Sequence, residues 1–129
     1  MEPPRLKLSL LPDALAVCRL EQGQEIPIWA TEGDFSSVSR IREELSVICA
    51  SSSVPENVRA SRGWRAIKIV GPLDLDLVGI LVSVAVPLAH AGIGILPVGT
   101  FDTDYILVKE PHLETAIHAL TSYGHAVRV

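Results

Sequence analysis

The clearest periodic signal lies in the second half of the chain. Residues 64–71, WRAIKIVG, alternate apolar and polar positions with β-branched residues, which predicts a strand ended by Gly71 and Pro72. LDLD then leads into an apolar run from Leu77 to Gly92, with Asp76 as candidate N-cap of a helix starting near Leu77 and Gly92 as its stop. That run is broken by Pro87 and falls short of the roughly 20 residues a membrane helix needs, so it predicts a buried helix. Two period-2 runs follow, IGILPVGTF and DYILVKE, joined at Asp102 and Thr103 by hairpin chemistry. Pro97 cannot donate a ladder hydrogen bond, which puts the first of them at a sheet edge. Pro111 then opens HLETAIHALTSYG, whose Leu113, Ala116, Ile117 and Leu120 form one stripe. Gly124 caps this helix, and HAVRV closes as a strand.

Strand, helix, strand, strand, helix, strand is the βαββαβ order of a ferredoxin-like antiparallel sheet with both helices on one face, and its second strand is an edge. The first half repeats the order in a worn form. ALAVCRL reads as a strand, IPIWA as a short helix or turn, SSVSRI and ELSVICA as a hairpin around Arg42 and Glu43, and VPENV as another short turn before VRAS. The leading LKLSLL adds an extra strand. The expected fold class is therefore α+β, two tandem ferredoxin-like modules with antiparallel sheets, residues 1–62 and 63–129, the first degenerate.

Composition narrows the function classes. The chain has 129 residues, 48% hydrophobic and 20% charged, which suits a compact core. Lys plus Arg against Asp plus Glu counts 7 to 9 in residues 1–64 and 4 to 6 in residues 65–129, so each half carries about −2 and no basic run offers a footprint for nucleic acid. Cys18 and Cys49 sit inside apolar strand-like runs and read as core thiols. The start, MEPPRLKLSLLPD, has no basic segment followed by a long apolar one. The expectation is a cytoplasmic protein without a membrane partner.

Asp102 and Asp104 in GTFDTDYILV admit three readings: a solvated hairpin turn, a metal or catalytic pair, or polar contacts for a small ligand. His90, His112, His118 and His125 show no metal-ligand spacing, so no metal or cofactor is expected. The glycines of AGIGILPVG follow a helix and open a strand, the reverse of the dinucleotide-binding order, and no serine has nucleophile context. Nothing points to an enzyme. Gly79, just inside the expected helix, is unfavourable there by roughly 1 kcal/mol relative to Ala. It either lets a ligand carboxylate reach backbone N–H groups at the positive end of the helix dipole, or serves close helix packing.

The stretch GPLDLDLVGILVSVAVPLAHAGIGILPVGTFDTDYILVKEPHLETAIHAL resembles an ACT domain, through the glycine of the first strand-to-helix loop, the LAHAGI helix end, and the TDYILVKE hairpin followed by LETAIHAL. With LKLSLLPDALAVCRL and GDFSSVSRIREELSVIC, the chain resembles the short bacterial proteins made of two ACT modules, relatives of the regulatory ACT repeats of aspartate kinases and of eukaryotic arginine sensors. The resemblance implies a non-catalytic regulatory or sensor protein that binds an amino acid or related metabolite and reports it to an unidentified protein partner. The alternative is a structural dimerisation module with no ligand. Carried onto this chain, the pocket of the arginine sensors corresponds to Val78, Gly79 and Ile80 facing Thr100, Phe101 and Asp104. Asp102 is then only a turn residue. ACT modules associate side by side, which implies a homodimer through the C-terminal module.

Overall fold

The computed structural model describes residues 4–74 and 76–129. Leu75, in the LDLD approach to the first helix, lies outside them. In chain order the elements are β1 (Lys7–Leu20), β2 (Ser37–Arg40), β3 (Leu45–Ala50), β4 (Ala60–Ile69), α1 (Ile80–His90), β5 (Leu96–Gly99), β6 (Asp104–Lys109), α2 (Leu113–Tyr123) and β7 (Ala126–Arg128), with short 3₁₀ turns at Ile28–Thr31, Ser51–Ser53 and Glu110–His112. The chain forms two compact units. Among the described residues, unit 1 holds those up to Pro12 and those of Arg65–Val129, and unit 2 holds Asp13–Trp64.

Unit 1 has the βαββαβ order and is a mixed α+β, ferredoxin-like arrangement. β5 pairs antiparallel with β6 in the register Leu96↔Leu107 to Gly99↔Asp104, and β6 lies beside β4. β5 has no second neighbour among the described strands, so Pro97 sits on an edge as its missing donor requires. Ile67 and Ile69 of β4 and Ile106 and Val108 of β6 enter one buried cluster with Val84 and Leu88 of α1 and Ala116 and Leu120 of α2. Both helices therefore cover the same sheet face.

LKLSLL and ALAVCRL are one continuous strand, β1, running through Pro12, and its first residues belong to unit 1. β7 pairs with β1 in parallel, Lys7↔Ala126, Leu8↔Val127 and Ser9↔Arg128, and the Val70 N–H donates to the Lys7 carbonyl at 2.9 Å. The physical reason is the period-2 pattern of Leu6, Leu8 and Leu10, which pack into the same apolar cluster as the two helices. The expected boundary itself falls inside the unbroken β4, next to Gly63.

Unit 2 is built on the β2–β3 hairpin, Ser37↔Ile48 to Arg40↔Leu45, closed at Arg42 and Glu43 by the Ile41 N–H on the Glu44 carbonyl at 3.0 Å. β3 pairs antiparallel with β1 from Leu15↔Ala50 to Leu20↔Leu45. Cys18 and Cys49 are free, buried thiols in its core with Ala16, Ala30, Leu45, Val47 and Val54. IPIWA and VPENV supply only short turns, so no helix of the ferredoxin-like order forms in this unit. No helix among the described residues is long and apolar enough to cross a membrane.

Candidate functional site

The start of α1 lies three residues later than the sequence pattern predicts. Asp76 does not cap it. Asp74 instead accepts the Asp76 N–H on its Oδ1 at 3.0 Å, and its carbonyl accepts the Leu77 N–H at 3.1 Å, a local turn that competes with helix. The chain then passes through Gly79 at φ 85°, ψ 0°, a left-handed conformation that L side chains adopt only at a cost. The Gly79 carbonyl accepts the Ser83 N–H at 3.0 Å, the first bond of the helix. Among the described residues no side-chain hydrogen bond caps the helix N-terminus. Its first N–H groups and the positive end of its dipole are therefore not satisfied by a side chain.

Facing it is the β5–β6 turn. Thr100 donates its N–H and its hydroxyl to the Thr103 carbonyl at 2.8 and 3.1 Å, and Thr100 Oγ1 accepts the Thr103 N–H at 3.3 Å. The turn is tied down from the β4 side, where the Leu73 N–H donates to the Asp102 carbonyl at 2.7 Å and the buried Thr103 hydroxyl donates to the Ile69 carbonyl. Gly71 makes this approach possible, because a Cβ there would stand 2.9 Å from the Asp102 oxygen and 3.0 Å from the Leu73 nitrogen.

Between these parts is a cleft of about 170 Å³. Leu73, Leu77 and Ile80 give it apolar wall, and Asp74, Asp102 and Asp104 give it three carboxylates with no Lys or Arg among the lining residues. Among the described residues no group of three or more His, Cys, Asp or Glu is placed to hold a metal ion.

Of the six residues expected to bind a ligand, Ile80, Thr100, Phe101 and Asp104 line this cleft and Val78 and Gly79 do not. The Val78 side chain is 93% exposed. Gly79 is the helix N-cap, with nothing within 4 Å of where a Cβ would point. Phe101 is 81% exposed at the rim, and Asp104 starts β6 opposite Gly99. Asp102, expected only to turn the chain, lines the cleft and anchors Leu73. Gly71, Asp74 and Thr103 escaped the sequence reading. Only the GP dipeptide after a strand hinted that the backbone is special at Gly71.

The cleft at a strand-to-helix loop facing a hairpin on a βαββαβ sheet defines the class. Residues 59–122 match the family model of the ACT domain, and ACT domains are regulatory ligand-binding modules. A second model, of an N-terminal domain, matches residues 13–57. A crystal structure of a protein from Agrobacterium tumefaciens is 40% identical over 96% of this chain and 92% of its own, with a TM-score of 0.91. The chain belongs to the same family as that protein, and its residues 59–122 carry the ACT-domain match. A Vibrio cholerae protein of unknown function, named as a possible transport protein, is 18% identical over 92% of this chain and 90% of its own, with a TM-score of 0.72. The ligand-free regulatory subunit of aspartate kinase from Thermus thermophilus is 10% identical over 90% of this chain and 96% of its own, with a TM-score of 0.62. The last two share the fold.

Proposed function

We propose that the protein is a non-catalytic sensor that binds an amino acid or related metabolite in the cleft between the start of α1 and the β5–β6 turn. The observation that carries this reading is the opposition of charge across one small space: a helix N-terminus that no side chain caps, and three carboxylates. A zwitterion is complementary to both ends, its carboxylate toward the backbone N–H groups of the helix start and its ammonium toward Asp104. A second cationic group on the ligand matches one of the two remaining acids, Asp74 or Asp102, so basic amino acids rank first. Val78 and Gly79 act through the backbone, Ile80 and Phe101 cover the alkyl chain, and Thr100 holds the turn.

Leu77 and Phe101 at the cleft, and Val78, Leu81 and Val82 at and before the first turn of α1, expose apolar surface, and this supports self-association as a homodimer through the C-terminal module. The reading further takes residues 1–62 as a degenerate second module, the protein as cytoplasmic, and a further protein as the recipient of the signal. Calorimetric titration with arginine, lysine, leucine and glutamate is the direct test. A basic amino acid should bind, Asp104→Asn should weaken it by one to two decades, since a charge-assisted bond contributes about 1.5–3 kcal/mol, and light scattering should give a mass near twice 13.9 kDa. Absence of binding by any amino acid, with a dimer intact, would favour the purely structural dimerisation module.

A further inference from the structure

Strand residues of unit 1 that alternate with the buried cluster project to the sheet face opposite the helices. On β1 these are Lys7 and Ser9, on β4 Lys68, and on β7 Ala126 and Arg128, while Leu8, Ile67, Ile69 and Val127 enter the helix-covered core. The parallel register sets Arg128 opposite Ser9, and the Val70 N–H on the Lys7 carbonyl brings the end of β4 beside them. Two cations, Lys7 and Arg128, therefore stand on one patch, with Lys68 on the same sheet face, in a chain whose formal net charge is −4. Lys68 stands over the Tyr105 ring at 5.9 Å. Neither Lys7 nor Arg128 makes an ion pair among the described residues.

This patch is concave. Lys7, Leu8, Val70, Ala126, Val127 and Arg128 line a groove of about 430 Å³, against about 170 Å³ for the acidic cleft. Its floor is apolar, with Val70 40% exposed, and its cations stand on it with no carboxylate among the lining residues. Cations with no ion pair among the described residues, standing on an apolar floor, complement a molecule with an anionic group on an apolar body, since the first supplies orientation and the second supplies burial.

We propose that this groove is a second ligand site, distinct from the acidic cleft, that takes a small organic anion, a carboxylate or phosphate carried on an apolar body. The probe is the amphipathic anion 1-anilinonaphthalene-8-sulfonate, followed by fluorescence on the full chain. It should bind saturably at one site per chain, weaken as salt is raised because exposed charges are screened, and be displaced by octanoate or by phenyl phosphate, the stronger competitor naming the head group. Lys7→Gln with Arg128→Gln should weaken it by about tenfold or more, with an unchanged circular dichroism spectrum, whereas Asp104→Asn should leave it unchanged. Unaltered affinity in the Lys7/Arg128 variant, loss in Asp104→Asn, displacement by neither competitor, or binding of a short single-stranded oligonucleotide in place of small anions would overturn the proposal.

Discussion

His125 donates its Nε2–H to the Ser83 carbonyl at 2.8 Å, and in doing so fills a hydrogen bond that the helix cannot make for itself. The natural partner of the Ser83 carbonyl is the N–H four residues on, but that residue is Pro87, inside α1. The tautomer follows from the other ring nitrogen, since His125 Nδ1 accepts the Leu6 N–H at 3.0 Å and so carries no proton. One imidazole, 4% exposed and placed between α2 and β7, thus links α1 to the approach to β1. His125→Ala should cost about 1–3 kcal/mol in denaturant unfolding, because it leaves buried backbone groups without partners. In a Pro87→Ala background the loss should be smaller, since an N–H at position 87 can then serve Ser83. Equal losses in both backgrounds would show that the bond to the Ser83 carbonyl contributes nothing to stability.

Gly79 separates conformation from bulk. A Cβ there meets no atom within 4 Å, yet the backbone stands at φ 85°. Asn tolerates that region and Val does not. Gly79→Asn should retain amino-acid binding, and Gly79→Val should lose it while the protein still unfolds cooperatively. Calorimetry on the two variants decides, and equal affinity for both would detach the helix start from the site.

Gly71 tests the strap between β4 and the hairpin turn. Gly71→Ala places carbon 2.9 Å from the Asp102 carbonyl, so the Leu73–Asp102 bond must open or the turn must shift. Ligand affinity and melting temperature should fall together. Gly94→Ala, where a Cβ meets nothing within 4 Å, is the matched control and should change neither. A Gly71→Ala protein that melts and binds as wild type would show that the strap does not shape the cleft.

The thiols of unit 2 predict a dependence on alkaline pH. Burial, and then the neighbouring Cys18, push the Cys49 thiol up from 9.0 to about 11, and burial also raises Cys18. The unfolded chain gives up these protons first, so above pH 9 it binds fewer protons than the native state and stability falls as pH rises toward 11. Below pH 9 this contribution is flat. Cys49→Ala should reduce the slope of unfolding free energy against pH between 9 and 11 relative to wild type, and an identical slope would remove the thiols as its cause.

What the sequence by itself determined is local and periodic. The 3.6-residue stripe from Leu113 to Leu120, the alternation in WRAIKIVG and DYILVKE, and Pro97 were enough for the βαββαβ order and its edge strand, because each signal is carried by neighbours along the chain. Ile80, Thr100, Phe101 and Asp104 came from the resemblance to the arginine sensors and not from periodicity, and the structure places all four along one cleft. Tertiary structure alone decided the rest. Nothing local in LKLSLL says that β1 will stand beside β7, because that pairing satisfies the edges of two distant segments at once. Asp76 looks like an N-cap until Asp74 takes its N–H, and the left-handed Gly79 moves the helix start to Ile80. Gly71 and Asp102 meet across about thirty residues, and His125 reaches Ser83 across 42, contacts that exist only once the sheet and both helices have closed on their shared core.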